Sequence, residues 1–129
     1  MVDADVVRGT ASLFQQAVEA LDTPAAIALM REDIQLYSPV PRAPFEGRDS
    51  VAAVFDFLAT VTRDHRFVSM TQGENEAILC FAGALAGRDC EWIHRVQIDE
   101  DGKIWRITDM VRPLSAVLAL QTAAGGRTP

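Results

Sequence analysis

Apolar residues recur along this chain with two periods, and the period changes partway along it. Val7, Ala11, Phe14, Val18 and Leu21 follow one another at intervals of four and three, the stripe of an amphipathic first helix. Val51, Val54, Phe55, Leu58 and Val61 share a similar stripe, and Gly47-Arg48-Asp49 ahead of them caps a third helix. Between the two, Thr23 suits an N-cap and Pro24 the first helical position, where the missing N–H has no partner to lose, so residues 25–30 read as a short second helix. Residues 34–40 are a strand candidate, ended by Pro39, Pro41 and Pro44, which cannot donate to a central ladder. From residue 66 onward strands follow one another, at residues 66–71, 77–85, 90–98 and 103–111, the last two alternating with a period of two. Pro113 then opens a short final helix through Leu114, Val117 and Leu118. The tail AAGGRTP is small and polar and reads as frayed.

The last two strands carry the most information. Asp101-Gly102 between alternating segments predicts a two-residue type I′ hairpin turn, whose positive φ values match strand twist. Glu100 then pairs with Lys103, and counting outward one face holds Ile98 opposite Trp105, Val96 opposite Ile107, His94 opposite Asp109 and Trp92 opposite Val111. The other face is mostly polar, with Glu91 opposite Arg112, Ile93 opposite Met110, Arg95 opposite Thr108 and Gln97 opposite Arg106. A slip of one residue would scramble this sorting, so pattern and turn support one register independently. An imidazole and a carboxylate therefore share an otherwise apolar wall.

Length and charge narrow the function. The 129 residues form one domain, read as 1–122 with a disordered tail at 123–129, and a chain of this size buries roughly two-thirds of its unfolded surface. Twelve basic against 18 acidic residues give a net charge of −6, which opposes nucleic acid and anionic membranes as partners. Cys80 and Cys90 lack metal-ligand spacing and fall on opposite faces of the sheet, and free thiols fit a reducing cytoplasm. With no leader-like N-terminus and no long apolar run, the chain reads as soluble and unexported. The acidic turn residues Glu74, Glu76, Asp99, Glu100 and Asp101 have no calcium-loop spacing, so neither a metal nor a cofactor is expected. His65, between Asp64 and Arg66, reads as a solvated surface histidine.

Helices first and strands afterwards is an α+β pattern, in which a curved antiparallel sheet forms a conical half-barrel around three N-terminal helices, with a short C-terminal helix. The stretches LYSPVPRAPFEGRDSV, VQIDEDGKI and ITDMVRPLSAV resemble those of SnoaL-like proteins of the nuclear transport factor 2-like superfamily, and the resemblance spans residues 6–120. It implies a homodimer with a small apolar ligand in the cone. Matched to ketosteroid isomerases of that superfamily, the general-base aspartate falls on Ser38, the oxyanion-holding acid on His94 and the helix-borne tyrosine near Ala17. The usual enolisation machinery is thus replaced, while His94 is implied to face the cavity. Limonene epoxide hydrolases are similar around Tyr37, where a tyrosine helps hold the attacking water. Their charged strand residues are missing from AILCFAGAL, and their second aspartate falls at Ile107. SnoaL-type cyclases use an aspartate on the last strands as acid and base, a part open to Asp109.

An aspartate within hydrogen-bond reach fixes an imidazole's tautomer, so His94 is the candidate proton donor or acceptor and Asp109 its orienting partner. Tyr37, Phe81, Trp92, Val96, Trp105, Ile107 and Val111 are the expected walls of the pocket, although aromatics at this spacing also serve as ordinary core. Ile93 and Met110, joined by Ile78 or Cys80, make an apolar strip on the outer face that fits a sheet-to-sheet dimer. Two readings stay open. One is a cofactor-free isomerase, cyclase or hydrolase acting on a hydrophobic, cyclic carbonyl or hydroxyl compound; the other is a non-catalytic ligand-binding or accessory module. Open volume beside His94 and Asp109 separates both from a pair that merely satisfies itself inside a filled sheet.

Overall fold

The computed structural model describes residues 2–125. The chain runs α1 (Ala4–Ala20), α2 (Thr23–Ile27), β1 (Met30–Tyr37), β2 (Phe45–Glu46), α3 (Arg48–Val61), β3 (Thr62–Gln72), β4 (Glu76–Leu85), β5 (Arg88–Ile98), β6 (Ile104–Arg112) and α4 (Leu114–Ala123). α1 starts where the Asp3 carboxylate accepts the Asp5 N–H at 2.8 Å, and it buries Val7, Ala11, Phe14 and Ala17 along one face. The cap of α2 lies one residue before the expected Thr23: the Asp22 carboxylate accepts the Ala25 N–H at 3.1 Å. Met30, read as the end of that helix, is instead the first residue of β1, fully buried and paired with Ile104. Gly47 has no side chain with which to cap α3. Beside it, Arg48 Nε donates to the Met30 carbonyl at 3.0 Å and ties the helix start to β1.

One curved, unclosed sheet in the order β2-β1-β6-β5-β4-β3 forms the cone. Its neighbours are antiparallel except for β1 and β6, which run parallel. That pairing joins segments distant in sequence and corrects the expectation of a wholly antiparallel sheet. Bulges interrupt the ladders of β1–β6, β3–β4 and β5–β6, and each adds local twist and bend to the sheet. Inward residues alternate along β4 and β5, with Ala77, Leu79 and Phe81 facing Val96, His94 and Trp92.

The β5–β6 hairpin has the expected register beside His94 but a different tip. Glu91 through Gln97 pair as counted from the sequence, whereas Ile98 pairs with Ile104. Asp99 N–H donates to the Lys103 carbonyl at 2.8 Å and Gly102 N–H to the Asp99 carbonyl at 3.0 Å, and φ is positive only at Gly102, at 79°. This is a three-residue loop ending in a left-handed glycine. A bulge at Trp105 restores the register that the longer loop would have shifted. The Thr10 hydroxyl on α1 donates to the Gly102 carbonyl at 2.7 Å and holds the tip against the helices. At the other end of the chain α4 reaches Ala123 and Ala124 is buried, so packed structure extends past residue 122. The remainder of the expected tail, residues 126–129, lies outside the described residues.

Candidate functional site

His94 and Asp109 project from adjacent strands to the inner face because even positions of β5 and odd positions of β6 point inward in this register. His94 Nδ1 and Asp109 Oδ1 are 2.6 Å apart, and the residues are 5% and 8% exposed. The imidazole is boxed in by aromatic rings. Phe14 of α1 meets it edge-on at 5.4 Å and 88°, and Phe81 at 5.7 Å and 69°. Phe81 in turn stacks on Trp92 at 5.9 Å. Packing on both sides and a hydrogen bond below fix the ring's orientation. Among the described residues, its second nitrogen, Nε2, has no hydrogen-bond partner. Among the described residues only Arg106 Nε is both unpartnered and sealed from open space, so Nε2 of His94 keeps access to the volume beside it.

That volume is a cavity of about 390 Å³ between the sheet and the helices, lined by both His94 and Asp109. Trp92 and Val111 stand on the same wall, while Ala17, Val18 and Leu21 of α1 and Val54, Phe57 and Leu58 of α3 close the opposite side. Apolar side chains predominate. Leu120 and Ala124 reach in from the C-terminal end, and Asp22, Ser38, Ser50 and His65 are polar members of the lining.

Of the residues expected to line a pocket, the structure gathers His94, Asp109, Trp92 and Val111 around this cavity. Phe81, Val96 and Ile107 point inward but are sealed within the core behind it. Tyr37 and Trp105 lie elsewhere. Ile34 and Leu36 take the inward positions of β1, which leaves Tyr37 beside Thr108 on the outer face. The bulge at Trp105 puts Ile104 inside in its place. On the outside the Arg106 guanidinium sits 5.2 Å from the Tyr37 ring and 5.0 Å from the Trp105 ring.

His65 is the lining residue that the sequence pattern misplaces as solvated surface. Asp64 adopts φ 53°, and the β3–β4 ladder shifts between Arg63 and Arg66. This bulge turns the half-exposed His65 toward the C-terminal end of α1, where Nε2 lies 2.8 Å from the Glu19 carbonyl. Gly83 permits it: a Cβ there would stand 2.7 Å from His65 Cα. A glycine inside an otherwise apolar strand is the available signal for so close an approach.

Cys90, also on the inner face, is not a candidate nucleophile. Burial pushes its thiol above the ordinary range, opposed by a backbone hydrogen bond involving Leu85 and reinforced by nearby Asp89 and Glu91. Cys80 lies on the outer face, and both thiols are free. Among the described residues no cluster of histidine, cysteine, aspartate or glutamate could hold a metal ion, and no helix is long and apolar enough to cross a membrane.

A curved six-stranded sheet closed by helices over a side-chain-lined cavity defines a class, and the chain has the nuclear transport factor 2-like fold. No protein-family model and no curated protein sequence matches it. Among solved structures it is similar to a steroid delta-isomerase from Pseudomonas aeruginosa, with TM-score 0.87 and 23% identity over 98% of this chain and 93% of that one. It is also similar to an uncharacterized bacterial protein with a cystatin-like fold from Silicibacter pomeroyi DSS-3, with TM-score 0.85 and 26% identity over 92% and 84%. An NTF-2 like protein of unknown function from Burkholderia xenovorans LB400 follows at TM-score 0.72 and 17% identity over 83% of each chain.

Proposed function

We propose that this protein binds a hydrophobic, cyclic carbonyl or hydroxyl compound in the cavity and moves a proton on it with His94, without a cofactor. The observation that carries this reading is the buried Nδ1···Oδ1 contact of 2.6 Å on the cavity wall, beside an imidazole nitrogen left free. Asp109 accepts the Nδ1 hydrogen, which leaves Nε2 of a neutral His94 as a base held at fixed orientation. Asp109 then stabilises the imidazolium that forms when Nε2 takes a proton. The apolar wall excludes water and strengthens that interaction. The likeness in fold to a steroid delta-isomerase supports a reaction of the isomerase, cyclase or hydrolase kind. The acid and base are this chain's own.

The direct test is solvent deuterium exchange at the carbon beside the carbonyl of a bicyclic ketone such as tetralone, followed by NMR. The intact protein accelerates exchange, His94→Ala abolishes the acceleration, and Asp109→Asn lowers it by about a hundredfold, the scale of one positioned acid–base group. Binding of the ketone without any exchange would leave a ligand carrier in place of an enzyme.

The assembly we propose is a homodimer through the outer sheet face. Met110, 56% exposed, is paired with Ile93, which is paired in turn with Cys80, so an apolar strip crosses three strands. Met110→Lys is expected to convert a dimer into a monomer in light scattering at micromolar concentration, and a monomeric parent protein would remove the proposal. Free Cys80 and Cys90 support a reducing, cytoplasmic setting.

A further inference from the structure

The chain contains two histidines, and both line the same cavity. His94 is buried among rings, and His65 is half-exposed. Trp92, Leu58 and Leu85 are among the apolar residues that share the lining with them. Each ring already has one nitrogen committed to an oxygen. For His94 it is Nδ1, 2.6 Å from the Asp109 carboxylate; for His65 it is Nε2, 2.8 Å from the Glu19 carbonyl. A carboxylate and a backbone carbonyl only accept, so the committed nitrogen of each ring carries the hydrogen. In the neutral ring the remaining nitrogen, Nε2 of His94 or Nδ1 of His65, is then an acceptor and nothing else.

Resting on the reading of the cavity as a small-molecule site, we propose that it takes a neutral, elongated apolar ligand with a hydroxyl at each end, one donating to His94 Nε2 and the other to His65 Nδ1. A carbonyl or ether oxygen at the far end would set acceptor against acceptor. A carboxylate there would also share the cavity with Asp22, another lining residue, in a protein of net charge −6. The spacing follows from the strands. Leu79 stands beside His94 and Gly83 approaches His65, and the intervening four steps of strand amount to roughly 13 Å. His65 is thus a residue that selects the ligand's far group and its length, distinct from the pair that acts on the near one.

Straight-chain α,ω-alkanediols of graded length, with their mono- and dimethyl ethers, separate these demands because methylation removes a donor and keeps the chain. Binding is read from fluorescence of Trp92, which lines the cavity. One length of diol is expected to bind best and about tenfold more tightly than its monomethyl ether, the scale of one net hydrogen bond. His65→Phe is expected to erase that difference, as is His65→Gln, which keeps a polar side chain at the rim. Equal binding of the best diol and its dimethyl ether by the unaltered protein would overturn the two-hydroxyl ligand and leave the apolar cavity standing. Failure of every diol and ether to bind would likewise overturn the two-hydroxyl ligand, while the exchange of tetralone tests the catalytic reading separately.

Discussion

The two histidines occupy opposite kinds of backbone. His94 lies on an unbroken stretch of antiparallel ladder, where each side chain's direction follows from counting, and its partner Asp109 sits directly across from it. His65 lies at a bulge, beside a residue with positive φ and against a glycine on the next strand. The first is held by packing and a buried hydrogen bond, the second by one hydrogen bond to a helix end. A regular ladder thus makes a rigid chemical group, and an irregular one brings a second group to the cavity from a position where alternation alone would not direct it.

The contrast can be broken at several points. Phe14→Ala removes the ring that meets His94 edge-on and is expected to cost about 3–5 kcal/mol in urea unfolding, as for other buried phenylalanines. A loss under about 1 kcal/mol would mean that the core does not hold the imidazole. Gly83→Ala forces a Cβ against the His65 backbone, and overpacking of this sort costs about 1–3 kcal/mol. Its NMR shift changes should centre on residues around His65 and spare His94; the reverse pattern would mean that the two ends are not independent. His65→Ala, at a half-exposed site with one hydrogen bond to a backbone carbonyl, should cost about 0.5–1.5 kcal/mol. A larger loss would make His65 a structural strut.

Much of this is legible in the sequence, and the exceptions have separate physical causes. The stripes of Val7, Phe14, Val51 and Phe55 and the alternation from Cys90 to Ile98 report burial directly, so the sequence alone carries α1, α3 and the wall with His94. Tyr37, Trp105 and His65 stand where the pattern does not put them. Likeness to limonene epoxide hydrolases points Tyr37 into the cavity, although Ile34 and Leu36 claim the inward positions of β1. Trp105 and His65 both stand at bulges, where one added residue shifts the alternation. The parallel contact of β1 with β6 joins residues far apart in the chain, and no local pattern carries that information.

The bulge at Trp105 has a bearing on how this molecule can change. A two-residue turn with no bulge, and the observed three-residue loop with one, set the same partners for every residue from Glu91 to Gln97. The hairpin tip is therefore a vernier whose setting the wall does not feel. Turn residues can drift, or be rebuilt to carry a graft, while His94 stays opposite Asp109.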